Sequence, residues 1–408
     1  MRICLVNTYH HWRGGDSTYT FELARLLGSR GHQVIHFAMK HPKNFPSEFE
    51  KYFVDYIDYR DLSETGGLFE RVKAFPRSLY SSEARRKFAA LLDATSPDIV
   101  HLQNFRRHLT FSILPEPKKR AKPVVMTAHD YDLICPSSVL FAHGALCDRC
   151  RGRNYYNAAM ARCKGGSFAG SAAIALEGYF MRVMGYDDLL DMIITPSRFA
   201  RDKLVECGRP AARIRALPNF IDGSRYRPVY DNDGYAICFG RLSDEKGIEV
   251  LLEAAAALPD VRLVIAGDGP CRTALEGQAL KLGLKNAEFL GHVARDKILD
   301  LVSRAMFVVI PSIWPENFPY SVLEAFAVGK PVIASRIGGL PEMVENGGTG
   351  LLVEPGDPAD LAKKMACLAE NRALLREMGE NARKRIETEF DAATHYRNIM
   401  QVYEELSA

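Results

Sequence analysis

Two carboxylates, Glu316 and Glu324, stand eight positions apart in the segment Glu316-Asn317-Phe318-Pro319-Tyr320-Ser321-Val322-Leu323-Glu324. On one continuous helix they would lie about 12 Å apart along the axis, too far to act on one small group. Pro319 predicts another arrangement, because proline suits the first helical turn and disrupts a helix interior. Glu316 is then expected in a loop, and Glu324 inside a helix that runs to about Val328. The N–H groups at such a helix start suit a phosphate, with one carboxylate on each side of it. The set fits a ligand with a diphosphate in the middle and hydroxyls at both ends. Arg241 and Lys246 follow the strand-like run 235–240. That places two cations at the carboxyl edge of a sheet, where open α/β sheets bind ligands and where charge on a leaving diphosphate would be stabilised.

The elements that must position these groups read as strands alternating with helices. Apolar runs at 2–6, 32–37, 99–102, 124–127 and 192–195 predict one parallel sheet. Runs at 236–239, 262–266, 287–290, 307–310 and 332–334 predict a second. Between them, Pro218-Asn219-Phe220-Ile221-Asp222 through Asp233-Gly234 is rich in turn formers and reads as a linker. A chain of 408 residues is long for one core. Gly14 and Gly15 fall in the first strand-to-helix loop, where glycine lets backbone approach a ligand. Asp16 reads as a helix cap. His129 follows the 124–128 run, again at the carboxyl edge of its sheet.

Several strings in order carry a resemblance. They are Phe239-Gly240-Arg241-Leu242-Ser243-Asp244-Glu245-Lys246-Gly247, Ala266-Gly267-Asp268-Gly269, the two-glutamate segment, Lys330-Pro331-Val332-Ile333-Ala334-Ser335 and Gly338-Gly339-Leu340-Pro341-Glu342. With them the chain resembles the family 4 retaining glycosyltransferases, over nearly its whole length. The resemblance implies the GT-B fold, an α/β architecture of two Rossmann-like domains facing each other across a cleft. It implies an N-terminal acceptor domain at 1–225 plus 390–408, where the last helix crosses back, and a nucleotide-sugar domain at 226–389. The activity implied is transfer of a hexose-type unit from a nucleotide-diphosphate sugar, of UDP or GDP type, to the hydroxyl of a glycan or lipid-linked acceptor. Polysaccharide, glycolipid or glycoconjugate synthesis would be its setting, and no catalytic metal would be needed. In this scheme His129 and Glu316 face the donor sugar, Arg241 and Lys246 hold the diphosphate, and Glu324 takes the ribose. Gly14 and Gly15 touch the donor across the cleft, and Val293 stands by the base. Asn317, Phe318 and Pro319 offer backbone N–H groups or shape, although Pro319 has no N–H to give. The family often has E-G-F-G where this chain has Glu316-Asn317-Phe318-Pro319. A GT-B phosphorylase or epimerase, and a non-catalytic nucleotide-sugar-binding subunit, are the rival readings.

Cys135, Cys147, Cys150 and Cys163 follow the pattern C-x11-C-x2-C-x12-C. Four thiolates with one knuckle spacing match a structural zinc site in an insert at about 135–163. Free thiols, an iron–sulfur cluster or disulfides are the other readings of that spacing. Cys4, Cys207, Cys238, Cys271 and Cys367 read as packing residues.

The net charge of +3 hides an asymmetry. Residues 1–220 hold 32 Lys+Arg and 22 Asp+Glu, or +10, and residues 221–408 hold 21 and 28, or −7. The clusters Arg85-Arg86-Lys87, Arg106-Arg107-His108 and Lys118-Lys119-Arg120-Ala121-Lys122 are either solvated surface or an attraction for an anionic membrane or lipid diphosphate. No nucleic-acid motif accompanies them, so no nucleic-acid partner is expected. No run approaches a transmembrane length, and the expected place is the cytoplasm, with peripheral contact at the inner membrane face.

Overall fold

A computed structural model of the chain describes residues 1–56 and 76–408. Two six-stranded sheets carry the fold, and every strand pair in them is parallel. The first runs in the spatial order Gln33–Phe37, Arg2–Val6, Ile99–Leu102, Val124–Thr127, Met192–Thr195, Ile214–Ala216. The second runs Ala287–Gly291, Arg262–Ala266, Tyr235–Phe239, Phe307–Ile310, Val332–Ser335, Gly350–Val353. Central strands such as Ile99–Leu102 and Phe307–Ile310 are buried on both faces, which is why they read as unbroken apolar runs. Each sheet is therefore a Rossmann-like layer between helices.

The sequence signals missed two outer strands. Ile214–Ala216 carries an arginine in its middle, and Gly350–Val353 follows a glycine-rich turn. Both gain their strand conformation from a neighbour already in place, Met192–Thr195 and Val332–Ser335 respectively. Asp16 is not the cap of the first helix. Gly15–Ser29 starts after Gly14, and the Ser17 hydroxyl accepts the N–H groups of Arg13 and Gly14.

The last helix, Ala392–Ser407, starts at Asp391, whose side chain accepts the Thr394 N–H. It packs on the N-terminal sheet. Tyr403 Oη lies 2.6 Å from His101 Nδ1, His395 Nε2 lies 3.0 Å from Tyr19 Oη, and Arg215 pairs with Glu405. No helix among the described residues is long and apolar enough to cross a membrane.

Candidate active site

The run Phe307–Ile310 ends at Pro311, and the chain then crosses the carboxyl edge of its sheet before the helix Tyr320–Ala327 begins after Pro319. Proline at that boundary has an extended backbone and gives up no helical hydrogen bond. Glu316 thus lies in the loop and Glu324 in the helix. The loop is pinned by a glycine pair from the next strand-to-helix turn. The Gly339 N–H donates to the Glu316 carbonyl at 2.7 Å. A Cβ on Gly339 would stand 1.9 Å from the Asn317 carbonyl oxygen, and one on Gly338, whose φ is +62°, would stand 2.3 Å from that of Glu316. No other residue fits this contact without moving the backbone.

The Glu316 carboxylate is buried and accepts from Lys246 Nζ at 2.6 Å and Ser312 Oγ at 2.7 Å. Lys246 sits in a single turn, Asp244–Lys246, after the strand Tyr235–Phe239. Arg241, in the same loop, is exposed, and no ion pair among the described residues holds it. Glu324 is buried beside Arg295, whose Nη2 is 3.1 Å from its Oε1. Burial pushes the Glu324 carboxyl up to about 7, against the pull of Arg295. The same guanidinium donates to Thr18 Oγ1 at 2.9 Å and lies 4.7 Å from the centre of the Trp12 ring. It therefore spans the two sheets' domains.

Asn317 makes the other crossing. Its Nδ2 donates to the Ala128 carbonyl at 2.9 Å, and its Oδ1 accepts from Ser197 Oγ at 2.7 Å. Tyr131 Oη donates to the Pro315 carbonyl at 2.9 Å. Glu342, from the glycine turn, accepts the N–H groups of Arg198 and Phe199 and so caps a helix of the opposite half. The Asn317 side chain is spent on this bridge, and Phe318 packs into the core against Phe390. With both side chains engaged and the Phe318 carbonyl taken by Asn219 Nδ2, the expectation for them narrows to backbone N–H donation.

His129 stands next to the bridge. Its Nε2 is 2.7 Å from Gln103 Oε1, and its ring packs edge-on against Tyr19. Burial pushes its pKa down to about 4, with Asp16 pulling the other way, so the ring is neutral at pH 7. Asp16 accepts from Asn104 Nδ2. Burial, with Asp132 alongside, raises the neighbouring Asp130 carboxyl above the usual carboxylate range. Gly15 faces the far side of the cleft: a Cβ there would meet the Tyr320 ring at 3.6 Å. Gly14 precedes it at the helix cap. Val293 follows the strand Ala287–Gly291, half-buried, two residues before Arg295. Tyr320 Oη, Gln103 Nε2 and Trp314 Nε1 are buried without a partner around this cleft.

Arg295, Ser312, Trp12 and Gln103 were missed by sequence reasoning. Each acts on a residue 4 to roughly 280 positions away, and no local pattern marks such a partner.

The cysteines do come together. Cys135, Cys147, Cys150 and Cys163 line one small cavity of about 20 Å3, with Cys207 at its wall. All are free thiols. Among the described residues no group of three or more His, Cys, Asp or Glu side chains is arranged to hold a metal ion, so the expected zinc site is not shown. A second small cavity, lined by Arg106, Asp132, Tyr155 and Arg209 among others, adjoins the insert.

The basic clusters are largely neutralised from within. Glu116 pairs with Arg85, Lys119 and Arg120, Asp191 with Lys118, Asp93 with Arg120, and Arg106 with the buried Glu177. Paired charges project little field, so Lys118, Lys119 and Arg120 have less of it to offer an anionic surface.

Two family models match the chain. Glycosyltransferase Family 4 covers residues 13–225, and Glycosyl transferases group 1 covers residues 225–385. A glycogen synthase of Mycobacterium tuberculosis is 27% identical over 96% of this chain and 91% of its own length. An uncharacterised glycosyltransferase of Methanocaldococcus jannaschii is 31% identical over 53% of this chain, which spans 60% of that relative. Among solved structures, Anabaena Alr3699/HepE in complex with UDP superposes with a TM-score of 0.69 at 18% identity, covering 99% of this chain and 100% of that one.

Proposed function

The chain belongs to glycosyltransferase family 4, with two Rossmann-like domains in the GT-B arrangement, and from that premise we propose that it moves a sugar from a nucleotide-diphosphate sugar to an acceptor hydroxyl with retention at the anomeric carbon. Residues 1–225 with 390–408 bind the acceptor in this reading, and residues 226–389 hold the donor. The observation that carries it is the Asn317 bridge to Ala128, which sets Glu316 and His129, the residues flanking that bond, at one point of the cleft.

Arg241, Lys246 and the N–H groups at the start of Tyr320–Ala327 receive the diphosphate. Glu324 accepts bonds from the ribose diol, and Val293 lies along the base. Glu316, held by Lys246 and Ser312, accepts from a hydroxyl of the donor sugar. Neutral His129 and its carbonyl support positive charge at C1. The Asp130 carboxyl beside it is kept protonated by burial and is a poor nucleophile. That favours front-face displacement over a covalent intermediate. The C1–O bond to phosphate breaks, a C1–O bond to the acceptor forms on the same face, and the acceptor's proton passes to the departing phosphate oxygen. The UDP held by HepE makes UDP-sugars the first donors to try, and GDP-sugars the second.

A panel of nucleotide sugars screened by thermal shift identifies the donor, since ligand binding to the native state raises Tm. Product analysis with that donor, labelled at C1, then reads the anomeric configuration. Inversion would overturn the retaining mechanism, and donor consumption only with inorganic phosphate would make the protein a phosphorylase.

A structural metal, zinc first, is the reading of the cysteine cavity that accounts for four separate thiols meeting at one point. Cys135, Cys147, Cys150 and Cys163 would hold it away from the chemistry. Elemental analysis of protein purified without chelator should find about one zinc per chain; metal-free protein with full thermal stability would remove the assignment.

A further inference from the structure

One face of the N-terminal half is apolar where it meets water. Of the thirteen large apolar side chains exposed among the described residues, seven lie between positions 146 and 184. The helix Phe168–Val183 carries three of them, and Met184 follows at its end. Its inner side, with Ile174, Ala175, Gly178 and Met181, is buried. At about 100° per residue, Phe168, Ala172, Leu176, Tyr179 and Val183 fall together on another side, where Phe168, Leu176 and Val183 are exposed and Ala172 and Tyr179 half-buried. That outer stripe carries no charge, and Val183 is 83% exposed. The short helix Tyr156–Met160 lies alongside, with the Tyr156 N–H donating to Tyr179 Oη, and it adds Met160, 73% exposed. A helix that is apolar on both sides belongs to a core or to an interface.

Charge surrounds the stripe. Arg149, Arg162, Lys164 and Arg182 are exposed, and no ion pair among the described residues holds any of them. The one exposed acid from 146 to 184 is Asp148, because Glu177 is buried against Arg106. This is the reverse of the paired cluster at Lys118 to Arg120. The fringe also reaches the cleft. Arg107, partial burial and, more weakly, Arg241 of the donor domain hold the Lys164 ammonium below the usual lysine range.

We propose that this face rests on an anionic lipid bilayer, with the Phe168–Val183 stripe at the headgroup boundary and the arginine fringe on lipid phosphates, so that the cleft opens toward a lipid-anchored acceptor. The acceptor clause rests on the transfer reading; the membrane clause does not. Apolar area and unpaired cations together are what such a surface binds. A second copy of the chain fits less well, because a two-fold contact would set the same unpaired arginines against each other.

The test is co-sedimentation of the full chain with vesicles of phosphatidylcholine alone and of phosphatidylcholine with phosphatidylglycerol. Binding should need the anionic lipid and weaken with salt. The double substitution Leu176→Glu, Val183→Glu should lower it about tenfold or more, and so should Arg162→Gln with Arg182→Gln, a pair that leaves the apolar face untouched. Both variants should keep the wild-type Tm and nucleotide-sugar hydrolysis. Absence of wild-type binding to anionic vesicles overturns the proposal, as does binding that neither variant changes. A concentration-dependent dimer abolished by Leu176→Glu, with no vesicle binding, would make the face a self-contact instead. Vesicle binding without any nucleotide-sugar turnover would sink the transfer reading and leave the membrane face standing.

Discussion

The Glu316 loop and the cysteine insert both border the cleft, yet they are held by opposite means. The Glu316 loop is fixed by contacts with no slack: backbone of Gly338 and Gly339 against its own carbonyls, and a buried carboxylate between a lysine and a serine. The insert has two strands of two residues each and a cavity at its centre. Of the nine non-glycine residues with positive φ among the described residues, five lie in it: Ser138, Leu140, His143, Arg153 and Arg162. Each such residue costs about 1–3 kcal/mol and persists only when its surroundings over-determine it. The difference teaches where rigidity comes from. The Glu316 loop has it from close packing and hydrogen bonds, and the proposed metal would supply it to the insert.

The comparison can be broken first at its rigid side. Lys246→Ala removes the cation proposed to hold the diphosphate and a partner from Glu316, and should lower kcat by about a hundredfold or more. Steady-state rates with the identified donor check it, and near-normal turnover would end the assignment. Gly339→Ala tests the pinning itself. Its Cβ would collide with the Asn317 carbonyl, so the loop must shift, at a cost of about 1–3 kcal/mol. Denaturant unfolding should show that loss, and turnover should fall with it because Glu316 moves. A stable, fully active variant would mean that the loop has room after all.

On the soft side, the proposed zinc site predicts that Cys150→Ser loses metal and opens the insert to proteolysis between Pro136 and Arg153, while nucleotide still raises Tm. Equal cleavage rates in variant and wild type would show that the insert holds itself. The smallest effect sharpens the donor side through pH. The Glu324 carboxyl stands at about 7 when folded, against an ordinary value of 4.5. Between those values the folded chain keeps a proton that the unfolded chain has lost, so this group's contribution to stability declines as pH rises through the window. The carboxylate is the form that accepts ribose hydroxyls. Affinity for the nucleoside diphosphate should therefore improve by up to about tenfold from about pH 6 to about pH 8, as read by calorimetry. Glu324→Gln should flatten the profile; an unchanged slope would place the titration elsewhere.

The sequence carried much of this unaided. The parallel strands were legible because strands buried on both faces are continuous apolar runs, as Phe307–Ile310 shows. The split between a loop glutamate and a helical glutamate was legible because Pro319 allows few backbones. Four cysteines were legible as a group from their spacing. These are local facts, set within one or two elements by covalent geometry and the period of the chain.

What the sequence left open was decided by contacts between distant segments. Asn317 looked like a phosphate-loop residue and became a strut to Ala128 and Ser197. The Lys118 cluster looked like free charge until Glu116, Asp93 and Asp191 came beside it. Arg295 gave no signal at all, although it joins Glu324 to Thr18 and Trp12. A charge is free or paired, and a polar side chain is ligand or strut, according to what stands within about 3 Å of it. Packing within each half and contact across the cleft set those neighbours.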